Sequence, residues 1–323
     1  TKRTRSEKQH SRTLKQPCPD RICPCKLRVE ERIAMIISAS RRTDIPAYYA
    51  DWFFYRLRQG YALVKNPFNG RQISRVSLER KDMDGIVFWT KNPIPMLDRL
   101  DALEGVPYYF QFTLNPYLED IEPNLPQKSS LAQAFRSLSL KSGRLSVVWR
   151  YDPILFNDRY TPQFHIKAFK EWAARLAPYT EKCTASFLDD YLKIRSALKR
   201  EGVYFPSDAL KEDIICSFAD IAKSEGIYVD TCAEEGDFKR YGVRGAACVD
   251  AERLERLGAS GLKHKKDASQ RPSCNCVKSV DIGAYYTCMS GCVYCYAGNL
   301  KRGCIQADYR LETLAAPGRT AKP

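Results

Sequence analysis

Short apolar runs and amphipathic stretches take turns along this chain from residue 35 onward. The runs are Met35–Ser40, Gly85–Thr90, Tyr108–Leu114, Leu145–Arg150, Lys182–Leu188 and Gly226–Thr231. Runs this short, bounded by turn residues, read as buried strands. Helical patterns lie between them. Pro46–Leu57 opens on Pro, which is favoured in a first helical turn. Ser130–Lys141 follows, then Pro162–Ala177, where Phe164, Phe169, Trp172 and Leu176 share one face. Ser207–Ser224 has a capping Ser at its start and Gly226 past its end. A short helix, Asp250–Leu257, comes next. Six β–α units in series predict an α/β fold built on a parallel sheet.

Each expected strand runs into a polar or Pro-bearing segment. These are Ser40-Arg41-Arg42-Thr43-Asp44, Thr90-Lys91-Asn92-Pro93, Thr113-Leu114-Asn115-Pro116, Arg150-Tyr151-Asp152-Pro153, Asp189-Asp190 and Cys232-Ala233-Glu234-Glu235. Sites in such folds are built at the C-terminal ends of strands. Arg41, Arg42, Asp44, Lys91, Asn92, Asn115, Arg150, Asp152 and Glu234 are therefore candidates for one pocket mouth. The plainer alternative is that they cap helices and make turns. Arg41, Arg42 and Arg150 directly follow apolar runs and suit a carboxylate or phosphate, or pairing with Asp44 and Asp152.

Composition changes the picture mainly at the N-terminus. The 323 residues carry 52 Lys+Arg against 38 Asp+Glu, a net charge of +14. Residues 1–34 hold +6 of this, lack apolar periodicity, and include Cys18, Cys23 and Cys25 in a Pro-rich stretch. They are expected to be a non-native upstream extension before a start at Met35, or a disordered basic tail. A basic nucleic-acid-binding arm is the rival reading and is not favoured. No run reaches the roughly 18 apolar residues of a membrane span. No basic-then-apolar leader opens the chain, so the expected compartment is the cytoplasm. No Ser-His-Asp ordering or phosphate-cradling Gly motif is present. His165 is expected on a helix, solvated or partnering a cap.

Thirteen Cys in an expected reducing compartment read as metal or cluster ligands before disulfides. Cys288, Cys292 and Cys295 have the spacing C-x3-C-x2-C. Cys274 and Cys276 lie upstream, and Cys304 lies downstream. Structural zinc prefers four ligands, usually as two C-x2-C pairs, and this uneven set fits it poorly. A [4Fe–4S] cluster held by three Cys is the better fit, and it leaves one iron without a protein ligand. Cys232 and Cys248, with Cys274 and Cys276, make a second four-ligand candidate. The alternative is that Cys232 and Cys248 are small buried hydrophobes.

The C-x3-C-x2-C spacing, with Tyr294 just before the last Cys, resembles the radical S-adenosylmethionine superfamily. The resemblance implies a parallel (β/α)6-like partial TIM barrel with a C-terminal cysteine-cluster loop. It also implies S-adenosylmethionine chelated by the open iron, Tyr294 beside that cofactor, and a flavodoxin- or ferredoxin-type reductant. Members of that superfamily carry the triad after their first strand; here it follows the sixth. A wider resemblance runs through Ile36–Pro46, Phe88-Trp89-Thr90-Lys91-Asn92-Pro93, Arg150-Tyr151-Asp152-Pro153 and Asp281–Ala297. These stretches resemble the bacterial family called domain of unknown function 1848, whose members also have Cys at the positions of Cys232 and Cys248.

The expectation is thus a barrel-like domain over residues 35–304 and a tail over 305–323. Its function is that of an iron–sulfur, radical-type enzyme of unspecified substrate, with a second iron–sulfur cluster as a further candidate. Two alternatives remain. One is a non-catalytic electron-transfer or structural iron–sulfur protein; the other is a zinc-bearing nucleic-acid-binding protein.

Overall fold

The computed structural model describes residues 35–69, 71–298 and 309–314. The expectations for residues 1–34, Cys304 and most of the C-terminal tail lie outside these. Ten strands run in chain order: β1 (Ile36–Ala39), β2 (Tyr61–Lys65), β3 (Ile73–Ser77), β4 (Gly85–Thr90), β5 (Tyr108–Thr113), β6 (Val147–Ile154), β7 (Lys182–Phe187), β8 (Tyr228–Thr231), β9 (Arg244–Gly245) and β10 (Val280–Asp281). Seven α-helices accompany them: α1 (Ile45–Tyr48), α2 (Ala50–Gln59), α3 (Lys128–Ser142), α4 (Pro162–Leu176), α5 (Arg195–Arg200), α6 (Asp208–Ser224) and α7 (Ala251–Arg256).

Eight strands form one sheet in the order β10-β1-β4-β5-β6-β7-β8-β9, every pairing parallel. The six central strands are those expected from the apolar runs, and they stand in chain order. β2 and β3 form a separate antiparallel hairpin.

Side chains alternate strictly across the sheet, as period-2 geometry demands. Ile37, Ala39, Ile86, Phe88, Phe110, Phe112, Trp149, Tyr151, Cys183 and Ala185 share one core with Phe135 of α3, Phe169 of α4 and Phe218 of α6. Helix capping follows the sequence. Thr161 Oγ1 accepts the N–H of Phe164, and Ser207 Oγ accepts that of Leu210. The opposite face starts apolar, with Ile36, Val87, Tyr109 and Val148 packed under residues 248–277. Toward the strand ends it turns polar.

His165 departs from expectation. It is fully buried beneath aromatic rings. Its Nε2 donates to the Leu155 carbonyl at 2.9 Å, so Nδ1 accepts from the Tyr151 hydroxyl at 2.8 Å. Burial lowers its pKa to about 4.

Candidate functional site

The polar end of the second face opens into a cavity of about 270 Å³. The lining residues on the strands or one position past them are Ser40, Trp89, Thr113, Arg150, Asp152, Ser186 and Cys232. All continue the period-2 register of Ile36, Val87, Tyr109 and Val148, so one parity selects the whole wall. Arg41 and Arg150 both lie over the Trp89 ring, at 5.0 and 5.2 Å. Residue Arg271 closes one side, its Nη2 donating to Asp189 Oδ2 at 2.5 Å and to the Tyr191 hydroxyl at 2.7 Å. A larger cavity of about 620 Å³ lies near α2, lined by Leu57, Glu79 and Arg99 among others. It is away from the strand ends and carries no thiol.

Of the nine candidate mouth residues, Arg41, Arg150 and Asp152 line the cavity. The others are engaged elsewhere. Asp44 caps α1 through Ala47 N–H at 3.0 Å and also accepts from Lys91 N–H at 2.7 Å; burial raises its carboxyl to about 6. Asn92 accepts the Ile94 N–H at 3.2 Å in a turn. Arg42 reaches Asp281 at 4.0 Å. Lys91 pairs with buried Glu122 at 2.8 Å. The Asn115 amide bonds both the N–H and C=O of Asp152, at 2.8 and 2.9 Å. Glu234 accepts the Phe187 N–H at 2.8 Å, and burial pushes its carboxyl up to about 7.

Four thiols share the cavity wall: Cys232, Cys248, Cys274 and Cys276. The Sγ atoms of Cys232 and Cys248 are 3.1 Å apart. Cys276 interacts with Cys248 on one side and with Cys274 on the other. As they stand, among the described residues no three His, Cys, Asp or Glu side chains form a group that could hold a metal ion. The surroundings favour negative charge on some of these sulfurs, while neighbouring thiols and burial push Cys232 and Cys276 up. Cys276 Sγ accepts the N–H groups of Cys248 and Val249 at 3.2 and 3.3 Å. Arg150 Nη1 donates to Cys248 Sγ at 2.9 Å. The contacts with Cys232 and Cys276, then the charge of Arg150, hold the Cys248 thiol well below the usual range.

The triad Cys288, Cys292 and Cys295 sits on the loop that leaves β10. Asp281 fixes the root of this loop. Its carboxylate accepts from Ser38 Oγ at 3.1 Å, Ser40 Oγ at 2.6 Å, and the N–H groups of Arg41 and Gly283 at 2.8 and 2.9 Å. A Cβ at Gly283 would stand 2.1 Å from Ser40 Oγ, so this passage requires glycine. Further along, Tyr49 donates to Thr287 O at 2.6 Å, Asn124 Nδ2 donates to Met289 O at 2.9 Å, and Val293 N–H bonds Ile121 O at 3.0 Å. Tyr296 donates to Arg41 O at 3.2 Å and lines the cavity, so the triad loop supplies part of the pocket wall.

Burial pushes the Cys288 thiol up to about 11, helped by the charge of Asp44. Cys292 is also raised by burial, against the pull of Lys91. The three thiols are near enough to raise one another. Three sulfur donors beside an ammonium are the donor chemistry that a thiolate-ligated cluster uses, although as they stand they form no group placed to hold a metal ion. Tyr294 points inward. It packs beside Tyr117, donates to Glu122, and shares a hydrogen bond with Asn115 Nδ2 at 3.2 Å.

Residues 36–297 match the profile of a domain of unknown function (DUF1848). The chain belongs to the DUF1848 family. No curated protein and no solved structure matches it. The DUF1848 match starts at β1 and ends two residues past Cys295, so it spans the sheet, the cavity and both thiol groups. Among the described residues no helix is long and apolar enough to cross a membrane. Sequence reasoning missed Trp89, Ser186 and Arg271. Strand parity was available for the first two; Arg271 comes from an aperiodic loop.

Proposed function

We propose that this DUF1848 chain is an iron–sulfur protein of the radical S-adenosylmethionine type. It acts on a small molecule in the strand-end cavity. The observation that carries this reading is the strand order. In the chain the triad comes last, after the sixth long strand. In space its loop leaves β10, which pairs with β1, and β4, β5, β6, β7 and β8 then follow in sequence. The cysteine loop thus heads a sequential parallel series, as it does in the superfamily the motif resembles. The same order supports a barrel-like curl of the sheet.

Cys288, Cys292 and Cys295 would hold the [4Fe–4S] group, which supplies one-electron reducing chemistry at its open iron when bound. The chain's own residues supply the rest. Burial of Cys288 and Cys292 keeps water from two of the three sulfurs. The charge of Lys91 pulls the Cys292 thiol down, against the larger upward push of burial. Tyr296 and Arg41, joined by a hydrogen bond, form the wall between the triad loop and the cavity. Arg150, held by Asp152 and Gln111, presents a fixed guanidinium to whatever enters. A flavodoxin- or ferredoxin-type protein in the cytoplasm would supply electrons.

Iron and sulfide analysis of anaerobically purified protein tests the ligand assignment. Cys292→Ala is expected to lose the iron of the triad; unchanged iron content would overturn the assignment. The set of four thiols favours a second reading, an electron-transfer or structural protein whose ligand positions are all taken by protein. S-adenosylmethionine that fails to perturb a reduced cluster would select it.

A further inference from the structure

We infer that Cys232, Cys248, Cys274 and Cys276 bind a single soft divalent ion, zinc or its like, in the wall of the cavity. This deepens the reading above, which gives these thiols no task. Three separate segments bring them together: the end of β8, the approach to α7, and the loop before β10. All four face the same open space, so an ion can enter without unfolding.

The surroundings are built for anionic sulfur. A neutral thiol is a weak acceptor, yet Cys276 Sγ takes two backbone N–H groups and Cys248 Sγ takes a guanidinium N–H. Four thiolates on a divalent ion carry a net charge of minus two. Arg150, and Arg41 beside it over Trp89, supply two positive charges at the wall.

The spacing of Cys232 and Cys248 lies nearer to that of sulfurs on one ion than to that of sulfurs on a cluster. Sulfurs on one zinc lie about 3.8 Å apart, the edge of a tetrahedron with bonds of about 2.3 Å. The 3.1 Å separation of Cys232 and Cys248 is shorter than that edge, so the pair has to open slightly to take an ion between its sulfurs. A cubane ties each sulfur to a different iron and would hold them wider apart. The present arrangement does not itself enclose an ion, so the thiols must turn toward the cavity to do so. Each ligating thiol releases its proton on binding.

The test uses the full chain in which Cys288, Cys292 and Cys295 are all replaced by Ser, so that only this set remains. Metal analysis is expected to find one zinc per chain. Cobalt added after chelation is expected to give a thiolate-to-cobalt charge-transfer band. Adding Cys248→Ser or Cys276→Ser should abolish both, while Cys183→Ser, on the opposite face, should keep them. Should the triple variant fail to fold, the cobalt titration is read on the chelated wild type with and without Cys248→Ser. Absence of metal, a Cys232–Cys248 disulfide in the purified protein, or iron with equimolar sulfide at this set would overturn the inference. Loss of iron in Cys292→Ala with zinc retained separates this site from the triad, so either assignment can fail alone.

Discussion

Asp281 stands beside Ser38 in parallel register although 243 residues of chain separate them. That pairing carries the triad loop to the C-terminal edge of the sheet. A motif at the end of the sequence thereby shares a wall with residues from its beginning.

Asp281 is the acceptor for two hydroxyls and two backbone N–H groups at this junction. Asp281→Ala strands several donors at once and is expected to cost about 2–4 kcal/mol of unfolding free energy. Asp281→Asn should cost less. Urea unfolding measures both, and iron content should fall with the Ala variant because the loop loses its root.

Glu122 is buried between Lys91 and Lys128 and accepts from Tyr294. Burial alone would raise its pKa; the two ammoniums instead hold it down at about 2. Its contribution to stability is therefore present above the unfolded value of 4.5 and lost as pH falls through about 2. Glu122→Gln leaves two ammoniums without their carboxylate and is expected to cost about 3–5 kcal/mol at neutral pH. A cost near zero in urea unfolding would contradict the assigned pairing.

His165 is neutral in the fold and protonates only near pH 4, against 6.5 when unfolded. Between those values the unfolded chain binds the extra proton. Stability is full above 6.5, falls as pH drops toward 4, and levels off below. The loss amounts to about 3 kcal/mol. His165→Gln should flatten this part of the profile even if it lowers the plateau. Parallel profiles for the two proteins would show that His165 is not the group responsible.

The six central strands and the main helices between them were legible because each buries a run of the right length and period. The hairpin β2–β3 was not, since four of its ten positions are exposed and only Ala62 and Val76 are buried. β10 has two residues and no apolar signal; it exists through its hydrogen bonds to β1. The site was half legible. Strand ends pointed to Arg41, Arg150 and Asp152, which line the cavity. Proximity to a strand end does not fix direction, however. Asp44 and Asn92 serve caps and turns, and Lys91 turns to Glu122. The convergence of Cys232 and Cys248 with Cys274 and Cys276 depends on how residues 248–277 cross the sheet, which no local pattern records.

Electron paramagnetic resonance of the anaerobically purified, reduced protein, with and without S-adenosylmethionine, tests the open triad most directly. The expected result is a cluster signal that changes shape on adding S-adenosylmethionine and is followed by release of 5′-deoxyadenosine. A signal that does not change, or protein that carries no iron at Cys288, Cys292 and Cys295, would contradict it.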